Sequence, residues 1–488
     1  MLKSPYLHFN IYKTSVFALF GIIYCLISFV NHYMFRTSAH DFGIYNQALW
    51  DYAHFRINNN TIISPYFGNI LSDHFELLMM IVSPLYYIFG SYTLLIVQVI
   101  AILIGGQGIF KFVELISSNR KLALAAMIQF FLFFGIYSAL AFDYHNNVIG
   151  AMVVPWVFYF LHKNQWKQAI LMLIIFLISK ENMALWGVFI FAGLIIKYRR
   201  DRRKHIWSTI FCAVSLAYFL IVVGLIIPSL GRAGAGYLHF QYSVLGNNMS
   251  DSLSNIITNP LYAFKLLFVN HLNFPAGDYV KAELHIAVLL SGGILLFLRP
   301  YYLLMLLPIY GQKLFCDHYT YWGLGFHYSV EFIPIITIGA FSIINEIDKQ
   351  KIRRIVVYVL IIFTAAVSFH SFDKTYTYFN RQKQRFYQSP HYTREFNIKE
   401  AYAALKIIPD DAVVSAQNEF VSHLCFREKI YLYPGIEDAG YIVLCSKANL
   451  YPFSTEKEYI ESIDKIICSE EWEKVYDKNY MVIFKRKK

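Results

Sequence analysis

Apolar positions along this chain fall into long blocks, rather than the alternation of a half-buried strand or the single stripe of a soluble helix. Blocks at 16–30, 94–104, 169–178 and 355–367, taken with their flanks, are long enough to cross about 30 Å of hydrocarbon. Such segments span lipid only as helices, because every backbone N–H and C=O must be satisfied within the segment. The pattern predicts about eleven crossings, at 15–31, 92–114, 121–142, 146–161, 168–180, 184–197, 206–228, 283–298, 301–315, 328–345 and 355–371. Lys3 and Lys13 precede the first block, and Phe29-Val30-Asn31-His32-Tyr33 follows it without a small-x-small cleavage pattern. That block is therefore expected to be a retained helix with its N-terminus in the cytoplasm.

Two polar segments interrupt the blocks. The first, 31–91, is expected to be a long outer loop with structure of its own, and long ordered loops are usually functional. Within it a helix is expected to start near Asp41, which stands in its first turn or caps it, with Ile44, Ala48 and Leu49 on one face. Ser72-Asp73-His74-Phe75-Glu76 then leads into 77–89, an apolar stretch interrupted by Pro84 that reads as interfacial or re-entrant. The second segment, 229–282, opens on Gly231-Arg232-Ala233-Gly234-Ala235-Gly236. It lacks the preceding strand and following Lys-Ser/Thr of a phosphate-cradling loop, so a flexible loop is expected.

Beyond 371 charged and turn residues return. Residues 397–407 read as a helix ended by Pro409, 412–415, 429–432 and 441–445 as strands, 456–467 as a helix, and 472–476 with 480–485 as a hairpin. The fold class is thus a polytopic α-helical membrane part, 1–371, followed by a small extracytoplasmic α/β domain, 372–488, expected to cover or shape a site.

Composition agrees: 57% of residues are hydrophobic and 15% charged, against about 25% charged in soluble domains. The net charge of +11 reports orientation. Arg120, Lys121, Lys163, Lys167, the run Arg199–Lys204, Arg299 and Lys349–Arg354 fall on the cytoplasmic side of the expected topology. Basicity of this kind points to topology and anionic lipid, not to nucleic acid. Acidic residues and histidines collect on the other side, including Asp41, Asp73, Glu76, Asp143 and Glu181 with His40, His74 and His145. A solvated outer surface and a polar cavity where several loops converge both explain them.

Asp73, His74 and Glu76 offer ligands for a divalent metal, and Asp143 with His145 a further pair, though neither HExxH nor DxD is present. The cysteines form no CxxC, and one disulfide is conceivable among Cys425, Cys445 and Cys468.

Several motifs occur in one order: His40-Asp41-x-x-x-Tyr45-Asn46-Gln47, Asp73-His74-Phe75-Glu76, Ser83-Pro84-Leu85-Tyr86, Phe142-Asp143-Tyr144-His145, Ser179-Lys180-Glu181-Asn182-x-Ala184-Leu185, and the run from Ile408 to Asn418. Over nearly the whole chain they resemble a bacterial family of polytopic membrane proteins, domain of unknown function 2079. Its plan is similar to that of GT-C glycosyltransferases, which use polyprenyl-phosphate sugars at the outer membrane face. The resemblance implies a carboxylate base at Asp41 and, loosely, a phosphate-facing cation at Lys180. His40-Asp41 departs from a tandem acid, and Glu181 departs by following the lysine. It further implies a donor and acceptor site drawn from His40, Tyr45, Asp73, His74, Glu76, Asp143, His145, Lys180, Glu181 and Arg232, in the plasma membrane. A helix-cap role for Asp41 and a structural ion pair between Lys180 and Glu181 compete with those roles. A lipid or polysaccharide transporter and a non-catalytic envelope assembly protein are the alternative functions.

Overall fold

The computed structural model describes residues 5–58, 60–62, 69–231, 239–377 and 380–487. A helix lies at each apolar block, but the helices differ in reach. By length and composition, Phe9–Tyr33, Leu78–Ser117, Arg202–Leu230 and Gln350–Asp373 can cross a membrane. Arg120–Leu132 and Phe134–Ala141, bent by 41° at Phe133, make a fifth if taken as one span. Instead of full spans, the other blocks form helices of 11 to 17 residues, such as Trp166–Ser179 with 14 and Glu181–Lys197 with 17. Fourteen residues rise about 21 Å, short of the hydrocarbon thickness. The reason is local: several of these helices end at buried polar turns, at Asp143–His145 and at Lys180, before the apolar sequence is used up.

Close packing depends on small residues. A Cβ on Gly106 would lie 2.2 Å from the Phe131 ring, and one on Gly105 2.8 Å from the Met152 sulfur. The absent side chains let Thr93–Ser117 approach both Arg120–Leu132 and Asn146–His162. Asn119 starts the first of these neighbours by accepting from the backbone of Lys121 and Leu122.

Two further segments have helical structure of their own. The stretch 77–89 is a run of short helical pieces around Pro84 that continues into Thr93–Ser117. Between 239 and 282 the chain carries helices Met249–Thr258 and Pro260–Leu266. Arg232 and the glycine run after Gly231 lie outside the described residues.

The C-terminal part holds five strands: β1 (Val414–Ala416), β2 (Ile430–Leu432), β3 (Tyr441–Cys445), β4 (Trp472–Lys478) and β5 (Met481–Arg486), in the order β2-β1-β3-β5-β4. The first three run parallel, and β5 pairs antiparallel with both β3 and β4. An additional helix, Asn418–Leu424, follows β1 directly. It turns there because Gln417 is clamped, accepting from the Cys445 N–H and donating to the Asn449 carbonyl. The sheet shares one apolar core with the first polar segment, where Phe35, Phe42 and Leu49 pack with Phe396, Phe420 and Val421. Arg36 fastens the same junction, donating to the carbonyls of Pro390, His391 and Thr393. The conceivable disulfide does not form: all six cysteines are free, with Cys425 and Cys445 buried in place and Cys468 exposed.

Candidate functional site

Helix ends create the site. The C-terminal ends of Phe134–Ala141 and Trp166–Ser179 meet the starts of Asn146–His162, Glu181–Lys197 and Phe332–Asn345. The turn after Ala141 is forced by Asp143, whose φ of +65° only a short polar side chain adopts at low cost. Gln98 holds that turn, donating to the Asp143 carbonyl at 2.8 Å and accepting from the His145 N–H at 2.9 Å. The second turn is a single extended residue, Lys180, between two helices.

Asp41 stands, as expected, in the first turn of a π-helical segment, Ala39–Gly43, whose N-cap is Ser38. The carboxylate serving that turn is Asp143, which accepts from the Ser38 N–H at 2.8 Å. Asp41 faces His145 instead, with Oδ1 3.6 Å from Nε2, and remains half-exposed. Burial opposes the Asp41 carboxylate, but His145, Lys383 and His40 around it hold its pKa below the usual range. Burial also depresses His145, while it raises Asp143 despite Lys383 3.4 Å away.

From His145 the polar layer runs inward. Tyr144 donates to Asn146 Oδ1 at 2.5 Å, and Asn146 Nδ2 donates to Glu76 Oε2 at 2.7 Å. Glu76 is fully buried, and its Oε1 lies 3.7 Å from Lys180 Nζ. Burial pushes Glu76 up to about 7 against the pull of that lysine. Tyr45 lies edge-on to both Tyr144 and His145. The competing Lys180–Glu181 ion pair is not among the close ion pairs of the described residues, and Lys180 contacts Glu76. Glu181 instead accepts from His74 Nδ1 at 2.9 Å and the Phe75 N–H at 3.1 Å.

The expected metal set is also rearranged. Glu76 turns to Lys180, and His239 takes its place beside Asp73 and His74. His40 points outward, with its ring 5.3 Å from Tyr451 in the C-terminal part.

His327, Glu331 and His239 were legible only as members of the outer-side set of acids and histidines, not as site residues, and Asn147, Lys383 and Gln98 were not singled out. His327 stacks on His145 at 3.6 Å, and Asn147 donates to Glu331 at 2.7 Å. Of the three not singled out, Gln98 carried a signal, as a strongly polar residue inside an apolar block. Around these residues Glu76 Oε1, His145 Nδ1, His327 Nδ1, Asn147 Oδ1 and Glu331 Oε2 are buried with no hydrogen-bond partner among the described residues. Buried polar atoms are normally satisfied, so this group is built to receive a polar ligand or water.

Residues 31–480 match the family model described as Predicted membrane protein (DUF2079). No curated protein matches the chain.

Proposed function

The chain belongs to the DUF2079 family of predicted membrane proteins, and from that premise we propose that it transfers a sugar from a polyprenyl-phosphate donor at the extracytoplasmic face of the plasma membrane. The observation that supports this reading is that Asp41 beside His145, and Lys180 beside Glu76, flank one polar layer in which Tyr144 and Asn146 bond on to Glu76. Asp41 is half-exposed and ionised at neutral pH, so it accepts the proton of the acceptor hydroxyl as that oxygen attacks the anomeric carbon. The bond from that carbon to the phosphate oxygen breaks, and its electron pair leaves with the lipid phosphate. Lys180 stabilises the departing phosphate by a charge-assisted contact, with Glu76 balancing the lysine in the resting state. The unpartnered atoms of Asn147, His327 and Glu331 serve as partners for sugar hydroxyls.

Orientation follows from the opposite end of the bundle, where Lys13 stands 4.5 Å over the Phe110 ring and Arg120 stands 5.8 Å over Phe9. These cations anchor that end in the cytoplasm, leaving the site and the C-terminal sheet outside.

Photo-crosslinking of the purified protein with a diazirine analogue of polyprenyl phosphate tests the phosphate contact. Wild type is expected to label in competition with unmodified polyprenyl phosphate, and Lys180→Gln to lose about tenfold or more of the labelling, the order of one lost charge-assisted contact. Equal labelling of both proteins would remove Lys180 from the donor site.

A further inference from the structure

We propose that Asp73, His74 and His239 form a binding site for a divalent transition-metal ion, zinc foremost, which ties the first polar segment to the chain after residue 238. One ligand atom from each residue, two imidazole nitrogens and a carboxylate oxygen, lie within 4.8 Å of one another. The imidazoles of His74 and His239 are stacked with centroids 4.0 Å apart and planes at 14°, so their nitrogen edges lie side by side. His239 Nε2 is 2.6 Å from Asp73 Oδ1, where an ion would take the place of the shared proton.

The surroundings have the form of a metal site's outer shell. Glu181 accepts from His74 Nδ1 and is itself fixed by the Phe75 N–H, which leaves Nε2 as the ligating nitrogen of His74. The carboxylate–histidine arrangement sets both the tautomer and the ring angle before any ion arrives. Lys180 repels a cation here, but Asp73 and Glu181 together outweigh its single charge. Two imidazoles and one carboxylate suit zinc with an open fourth position, or another first-row ion.

The test is metal content and affinity of the full-length, tag-free protein in detergent, read by elemental analysis and by the visible absorption of added Co²⁺. Wild type is expected to take up one ion per chain, with the ligand-field bands of a nitrogen–oxygen site. His239→Ala and Asp73→Asn are expected to abolish that uptake, and Glu181→Gln to weaken it about 10–100-fold. His318→Ala, an exposed histidine elsewhere, is expected to retain it. Each variant is compared as the monodisperse fraction from size exclusion, so a misfolded protein is not scored. Absence of stoichiometric uptake by wild type, or uptake unchanged in His239→Ala, would overturn the proposal. Neither result depends on sugar transfer.

Discussion

Asp51 is a carboxyl that folding makes reluctant to ionise. It is buried in the helix Ile44–Ala53 and accepts from Asn58 Nδ2 at 2.6 Å. Burial pushes its pKa up to about 6, against the pulls of Asn58 and Arg56. A carboxyl raised by folding contributes stability that is fully present below its unfolded pKa of about 3.9 and is lost as pH rises through the folded value. Asp51→Asn keeps an acceptor and removes the charge. It is expected to raise the thermal unfolding midpoint at pH 7.5, by at most about 3 kcal/mol in free energy, and to leave it nearly unchanged near pH 4. An equal gain at both pH values would contradict the assignment. At this scale the sequence revealed which residues carry chemistry, but not which of them meet. Asp41 and Lys180 were legible as candidates from their motifs. The partnership of Lys180 with Glu76, and of Glu181 with His74, depends on a turn that brings residues about a hundred positions apart together. Adjacency in the sequence offered a Lys180–Glu181 pair as one alternative, and carried no sign of Glu76 or His74 as partners.

Among the elements, the approach of Phe134–Ala141 to the segment ahead of Phe332–Asn345 sets the site most tightly. A Cβ on Gly135 would lie 2.7 Å from the Ser329 carbonyl oxygen and 3.0 Å from its carbon. Backbone cannot retreat as a side chain can, so Gly135→Ala is expected to cost about 1–3 kcal/mol and to shift His327 and Glu331. Gly311→Ala, where the nearest atom is a Phe315 ring carbon at 3.7 Å, is the control and is expected to be neutral or slightly stabilising. Chemical unfolding followed by tryptophan fluorescence separates the two, and equal midpoints would refute the close approach. Helix positions, and several lengths to within a few residues, were legible because apolar blocks mark them; which helices are long enough to cross was not. Hydropathy does not distinguish lipid from a protein interior, so it placed the segment 168–180 but could not show that Trp166–Ser179 is too short to cross. The helix Asn418–Leu424 was missed because its amide-rich start reads as loop. Its stability comes from Gln417 and from Asn418 accepting the Ala39 N–H at 2.9 Å.

Across the whole molecule, a cationic end and a site-bearing end are separated by the helices, and the C-terminal sheet packs on the latter through the core it shares with residues 35–95. This polarity makes a direct prediction. Cys468, exposed at the end of the helix Glu456–Cys468, is expected to react with a membrane-impermeant maleimide in right-side-out vesicles. Labelling that appears only after permeabilisation would invert the topology. The sheet was legible from short β-rich runs between turn residues, but its fusion with the first polar segment was not, since hydropathy carries no long-range pairing. The central claim is that Asp41 is the base of a glycosyl transfer, and the most direct measurement is the initial rate of labelled-sugar transfer from polyprenyl-phosphate donors. It is made with wild type beside an Asp41→Asn protein of unchanged thermal stability. The account predicts measurable transfer by wild type and a loss of about 10²-fold or more in Asp41→Asn, the scale of a removed general base. Transfer at an undiminished rate in Asp41→Asn would contradict it.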